Sequence, residues 1–312
     1  MKSASRVAAP RPSTGPRMAA YTTFKLGGPC RGLVTCTTRA ELRRAIDALG
    51  EVGEPFVLIG GGSNLLVSDA GLDRQVIRYF SEKPLVARQG NEVVVQASTR
   101  LDDLAAFVIN EGLDGLQCCA GIPGTVGGAI VGNAGAFGEQ IGDKLVSIVA
   151  MDAHGAEREM TVDELGFGYR TSRLAGTDTM VVSARLRLRP GDRERMRQRR
   201  QEILALRSSK HPDWQRIPTA GSFFKNIEPT SKAERRQAAG WYLEQAGAKV
   251  LRVGGARPYD KHANIIIAER GCTASDVLEL SRQMAQLVQE KFGITLQREV
   301  RLLGDWPATE RT

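Results

Sequence analysis

A mixed α and β fold divided among two or three domains is predicted by three observations. The chain has 312 residues, 42% of them hydrophobic, enough for a sizeable core. Segments with helical and with alternating apolar periodicity succeed one another along it. A Pro190–Gly191 break then separates them from a helix-prone, charge-rich segment.

Taken in order, 41–49 (ELRRAIDAL) repeats apolar residues at helical spacing, and 55–62 (PFVLIGGG) reads as a buried strand entering a glycine turn. Strands are expected at 75–80 (QVIRYF), 85–90 (LVARQG) and 91–98 (NEVVVQAS). The segment 100–113 is helical, with Leu101, Leu104, Ala105 and Val108 on one face. A glycine-rich stretch, 121–138, gives way to strands around 145–152 and 179–188; VVSARLRLR alternates apolar and charged residues as a half-exposed strand does. After the break, 192–210 is a helix whose arginines alternate with acids and lack stacking aromatics, which favours a solvated face over nucleic-acid binding. Thr273 caps a last long helix that stops at Gly293, and 294–304 (ITLQREVRLLG) reads as a final strand. The chain shows no internal repeat.

Lys and Arg exceed Asp and Glu by 43 − 35 = 8, an excess that suits a polyanionic or phosphate-bearing partner. The five cysteines show no CxxC spacing and the three histidines are scattered, so reduced thiols and no metal site are expected. The basic, Pro- and Ser-rich stretch 1–17 lacks an apolar signal core, and no segment approaches the ~20 apolar residues of a membrane span. It reads as a disordered tail on a cytoplasmic protein.

Two glycine-rich runs stand out. In 58–69 (LIGGGSNLLVSD), unhindered N–H groups and the short side chains of Ser63 and Asn64 suit a pyrophosphate, but Leu65 stands where a dinucleotide fingerprint needs its third glycine. An ordinary tight turn is the alternative. The run GIPGTVGGAIVGNAGAFG, 121–138, is longer, and ordering so flexible a segment suggests an offsetting ligand.

Together, TTFKLGGPC, GGGSNLLVSD, GLDGLQCCAGIPGTVGGAIVGNAGAFGE, GYRTSRL, AGSFFKN, KHANIII and LQREVRLLG resemble the UDP-N-acetylenolpyruvoylglucosamine reductase family in motif and order over 21–304. The resemblance implies an FAD-binding region of two subdomains in the vanillyl-alcohol-oxidase (PCMH) manner, over 18–190 with subdomains at about 18–85 and 86–190. A C-terminal α/β substrate domain would follow over 191–307. It implies FAD and NADPH as cofactors, a UDP-sugar substrate, and no nucleic-acid or membrane partner; a monomer is expected. FAD would be cradled by Gly60, Gly61, Gly62, Ser63 and Asn64, and by Gly121, Ile122, Pro123, Gly124, Thr125, Gly127, Gly128 and Asn133.

The implied reaction takes a hydride from NADPH to C3 of an enolpyruvyl group by way of the flavin, leaving negative charge at C2 and the carboxylate. Arg170 matches the cation that steadies that charge, Glu299 a carboxylic acid beside it, and Ser222 the donor that protonates C2. Tyr169, Lys210, Lys225, Asn226, His262 and Asn264 match substrate-side positions, the last two as site architecture. Without the resemblance, Arg170 reads as an ion-pair partner, Glu299 as a solvated strand residue, and the lysines as solvated. This chain departs from the family pattern at Gln117, Cys118, Gly132 and Ile227, and lacks a common Ser before Lys261. Its short 171–178 link resembles the subclass without a substrate lid. Two rivals are a different FAD-dependent oxidoreductase of the same fold and a basic nucleic-acid binder.

Overall fold

A computed structural model describes residues 15–228 and 236–306. Of the tail expected over 1–17, residues 1–14 lie outside the described residues. Cys30 N–H donates to the Pro16 carbonyl (2.9 Å), and Arg17 bridges Pro29.

The first unit is a parallel sheet. β1 (Cys30–Cys36) leads into α1 (Arg39–Glu51), then β2 (Phe56–Ile59), β3 (Leu65–Val67) and β4 (Leu72–Tyr79); the sheet runs in the order β1-β4-β2. α1 begins where the sequence supplies a capping box: Thr38 Oγ1 accepts the Glu41 N–H, while the Glu41 carboxylate accepts the Thr37 and Thr38 N–H groups. Those backbone donors hold the Glu41 carboxyl below its ordinary pKa. Leu42 and Ile46, one helical turn apart, are buried against Ile77 and Tyr79 of β4.

The second unit is antiparallel. β5 (Val86–Gln89) and β6 (Glu92–Gln96) precede α2 (Leu101–Asn110) and α3 (Val126–Val131), followed by β7 (Leu145–Met151), β8 (Glu157–Thr161) and β9 (Met180–Arg187). The strand order is β8-β7-β9-β6-β5. α3 was not foreseen, because it lies inside the glycine-rich run. Thr125 caps it by accepting the Gly128 N–H at 3.3 Å, and Val126, Ala129 and Ile130 bury its inner face.

After Pro190–Gly191 come α4 (Arg193–Lys210), α5 (Ala239–Gln245), β10 (Ala256–Tyr259), β11 (His262–Ala268), α6 (Ala274–Phe292) and β12 (Arg301–Leu303). The arginine-rich face of α4 is largely exposed. Arg200 is turned inward: it grips Asp102 through two bonds of 2.7 and 2.8 Å, and Asp102 also accepts the Gly121 N–H. α4 is thereby tied to α2 and to the start of the glycine-rich run.

The expected final strand is shorter than its pattern, since only Arg301–Leu303 is regular. Residues 297–299 instead donate and accept singly with 223–225. β12 pairs in parallel with β3, next to the first glycine loop. The second core, built around α6 and β11, also takes in Phe24 and Leu66 from the N-terminal part of the chain. Residues from the N-terminal and the C-terminal parts of the chain thus share one core.

All five cysteines are free thiols. Among the described residues, no helix is long and apolar enough to cross a membrane.

Candidate active site

The loop Gly60–Asn64 leaves the carboxyl end of β2, where ligands of parallel sheets gather. It lies against the loop that precedes α3 with no room for side chains. A Cβ on Gly61 would sit 3.0 Å from the Gly124 Cα, and one on Gly124, at φ +106°, would sit 2.5 Å from the Ser63 Oγ. Ser63 Oγ donates to the Pro123 carbonyl at 3.1 Å, clasping the loops together.

The backbone N–H groups of Gly62, Ser63, Gly124 and Thr125 donate to no acceptor among the described residues. Unused donors on two touching glycine loops suit a pyrophosphate, and these residues fit the diphosphate of FAD. Other expected cradle residues serve the protein. Ile122 N–H donates to Cys119 and Gly127 N–H to Ala97, and a Cβ on Gly127 would meet the Ala97 Cβ at 3.1 Å. Asn133 is 1% exposed and its amide is fully engaged: Nδ2 donates to Gln140 Oε1 (2.9 Å) and the Gly168 carbonyl (3.0 Å), and Oδ1 accepts the Gly142 N–H (3.2 Å).

The Ser222 segment is an extended piece held on both sides. Toward β11, Phe223 N–H donates to the Asn264 carbonyl, and Ser222 bridges Ile265. Toward 297–299, Lys225 N–H donates to the Gln297 carbonyl and Glu299 N–H to the Phe223 carbonyl, both at 2.8 Å. Phe223 and Phe224 are buried edge to face with ring centroids 5.3 Å apart, anchoring the segment in the second core. Ser222 Oγ donates to no acceptor among the described residues.

Asn264 closes the anchor. Its Oδ1 accepts the Phe224 N–H (2.9 Å) and its Nδ2 donates to the Phe224 carbonyl (2.8 Å), all within the interior. Asn264→Ala leaves both backbone groups unpaired and is expected to lower stability by about 2–5 kcal/mol in denaturant unfolding. A change below about 1 kcal/mol would show that the amide does not hold the segment.

Arg170 and Glu299 arrive from distant parts of the chain. Gly168 and Thr171 exchange two backbone bonds, making a tight hairpin with Tyr169 and Arg170 at its tip. Arg170 adopts φ +55°, a left-handed conformation that costs a non-glycine residue about 1–3 kcal/mol. Its Nε lies 3.0 Å from Glu299 Oε1, yet the N–H is not aimed along a hydrogen-bonding line. Burial pushes the Glu299 carboxyl above its ordinary pKa, with Arg170 and then Lys225 opposing. Asn64 Nδ2 donates to the Glu299 carbonyl at 3.1 Å, so the first glycine loop also fixes the Glu299 backbone.

The other expected residues form a surround. Tyr169 Oη accepts the Asn226 N–H (3.3 Å) beneath the Arg236 guanidinium, which sits 4.0 Å from the tyrosine ring centroid. Asn226 Oδ1 accepts the Ala239 N–H at the start of α5. His262 Nδ1 accepts the Asn264 N–H, and its ring centroid is 5.5 Å from that of His211. Burial lowers both histidine pKa values, that of His211 to about 4, with His262, Arg207 and Lys210 adding to the effect there. The pair is neutral at pH 7. Lys210 is exposed at the end of α4.

Two arginines near this region were not singled out from the sequence. Arg207 lies against the position a Cβ would take on Gly121, donates weakly to the Cys118 carbonyl (3.4 Å), and keeps its Nε buried without a partner. Its spacing from Arg200 and Ile203 on one face of α4 was the available signal. Arg301 is exposed beside Asn64, whose carbonyl accepts the Arg301 N–H.

The UDP-N-acetylenolpyruvoylglucosamine reductase C-terminal domain family matches residues 211–303, and the FAD binding domain family matches 30–161. A UDP-N-acetylenolpyruvoylglucosamine reductase from Desulforamulus reducens is 38% identical over 288 residues, 92% of each chain. One from Carboxydothermus hydrogenoformans is 37% identical over 289 residues, again 92% of each. The crystal structure of UDP-N-acetylenolpyruvylglucosamine reductase from Thermus caldophilus is 34% identical with a TM-score of 0.76, over 94% of this chain and 98% of that one.

Proposed function

Because the chain belongs to the UDP-N-acetylenolpyruvoylglucosamine reductase family, we propose that it uses NADPH to reduce UDP-N-acetylglucosamine enolpyruvate to UDP-N-acetylmuramate, a step of peptidoglycan precursor synthesis. It is an FAD-dependent oxidoreductase with an FAD-binding region and a C-terminal substrate domain. We set the seam between them at Pro190–Gly191 and read the enzyme as a cytoplasmic monomer. The observation that supports the residue assignments is the approach of Arg170 to Glu299, whose own N–H donates to the carbonyl of Phe223, next to Ser222, and whose carbonyl accepts from Asn64 of the first glycine loop.

When bound, FAD supplies hydride chemistry between NADPH and the enolpyruvyl group. Gly62, Ser63, Gly124 and Thr125 hold its diphosphate through their free N–H groups. Arg170 faces the substrate carboxylate, where a guanidinium offers a fixed charge and paired donors as negative charge develops. Glu299, whose carboxyl burial pushes above its ordinary pKa, donates toward the enolic oxygen. Ser222, whose hydroxyl donates to no acceptor among the described residues, delivers the proton to C2. Lys225, Asn226, Tyr169 and Lys210 line the side on which the UDP-sugar sits, while Asn264 and His262 support the segment bearing Ser222.

Purified protein is expected to be yellow and to consume NADPH only when the enolpyruvyl sugar is supplied. Flavin-loaded protein that leaves NADPH unconsumed with that sugar would refute the assignment.

A further inference from the structure

The tight hairpin that carries Arg170 is fastened at both ends to the same short stretch of chain. On the near side, Asn133 Nδ2 donates to the Gly168 carbonyl at 3.0 Å. On the far side, the Ser172 Oγ donates to the Val131 carbonyl at 2.8 Å. Both side chains are buried, at 1% and 6% exposure, so water does not compete for these bonds. Val131 ends α3 and Asn133 lies two residues beyond, in the run whose beginning, at Gly124 and Thr125, presents free N–H groups to the cofactor diphosphate. Asn133 is in turn held by Gln140 and by the Gly142 N–H, and a Cβ on Gly142 would collide with its Oδ1 at 2.8 Å. This clasp is packed on every side.

We propose that Asn133 and Ser172 are positioning residues for Arg170, fixing the left-handed hairpin so that the guanidinium meets Glu299 and the substrate carboxylate. The inference rests on the carboxylate-binding role given to Arg170 above. Arg170 sits at the tip, where φ +55° is unfavourable for an arginine, so the hairpin needs external ties to keep that conformation. Among the described residues, its other ties include the Arg170–Glu299 pair, the Tyr169 contacts with Asn226 and Arg236, and the Arg173 N–H to the Leu165 carbonyl. Among the described residues, the hydrogen bonds that connect the hairpin to the glycine-rich run are those of Asn133 and Ser172. The run therefore does two jobs: its first half cradles the cofactor, and its second half sets the substrate-side arginine.

The test uses FAD-loaded enzyme, comparing Asn133→Ala and Ser172→Ala with wild type in separated half-reactions. Flavin reduction by NADPH should be unchanged, while reoxidation by UDP-N-acetylglucosamine enolpyruvate slows by about ten- to a hundredfold, the scale of a displaced reacting group. In an Arg170→Ala background the same substitutions should add nothing further. The high-pH limb of the second half-reaction should also move upward, because a displaced Arg170 no longer opposes the raised Glu299 pKa. Parallel slowing of both half-reactions, or a loss that persists undiminished on Arg170→Ala, would overturn the proposal. Ser172→Ala removes a single hydroxyl and keeps the test decisive should Asn133→Ala not fold; full activity in Ser172→Ala would count against the clasp. A wild-type enzyme inert toward the enolpyruvyl sugar would instead sink the functional assignment itself.

Discussion

Ser222→Ala enzyme should bind FAD, reduce it with NADPH at the wild-type rate, and then stall when the enolpyruvyl sugar is added. The expected loss in the second half-reaction is about 10²–10⁴-fold, the usual worth of a positioned proton donor. The hydroxyl has no acceptor among the described residues, so deleting it breaks no protein bond, and the stability change should stay within about 0.5 kcal/mol. That separation is what makes the variant informative. The segment is held by Phe223, Phe224 and Asn264, none of which depends on the serine side chain. Stopped-flow spectra of the flavin distinguish the two steps directly. Loss of NADPH-driven reduction, or second-step turnover near the wild-type rate, would remove Ser222 from the proton-donor role.

The helices were the most legible part of the fold. α6 carries both of its signals, a Thr273 cap with Asp276 completing the box and Gly293 at φ +68° ending it. α3 was hidden because Gly127 and Gly128 lie in its first turn, where intrinsic propensity argues against a helix. A threonine cap and three buried apolar residues override that preference. The last strand was overextended: ITLQREVRLLG reads as one strand, but residues 297–299 meet 223–225 by isolated bonds and not along a ladder.

The site divides in the same way. Each glycine loop could be found from composition, because close backbone approach needs glycine. The meeting of residues 170, 222 and 299 could not, since it depends on β12 pairing with β3 and on the Ser222 segment lying between β11 and 297–299. Only the ordered motif resemblance pointed there. The clasp on the Arg170 hairpin was similarly out of reach: Asn133 was expected beside the cofactor, and its amide turns inward.

Glu299→Gln separates catalysis from stability in the opposite sense to most active-site losses. Burial raises the carboxyl's folded-state pKa above its unfolded value, more than Arg170 and Lys225 together lower it. The linkage follows: the stabilising effect of binding that proton is fully present below the ordinary carboxylate range and is lost as pH rises through the raised value. Ionised Glu299 therefore weakens the wild-type fold at pH above that raised value. The neutral glutamine removes that burden, so Glu299→Gln should match or exceed wild type in thermal unfolding at pH 8, with the advantage vanishing below the carboxylate range. Its reoxidation by the enolpyruvyl sugar should fall by about 10²–10⁴-fold, because an amide cannot give up a proton to the enolic oxygen. Wild-type reoxidation should decline at high pH as the carboxyl ionises, and the residual rate of Glu299→Gln should lose that limb. If the variant keeps the limb, another group sets it; if it keeps the rate, Glu299 is not the acid.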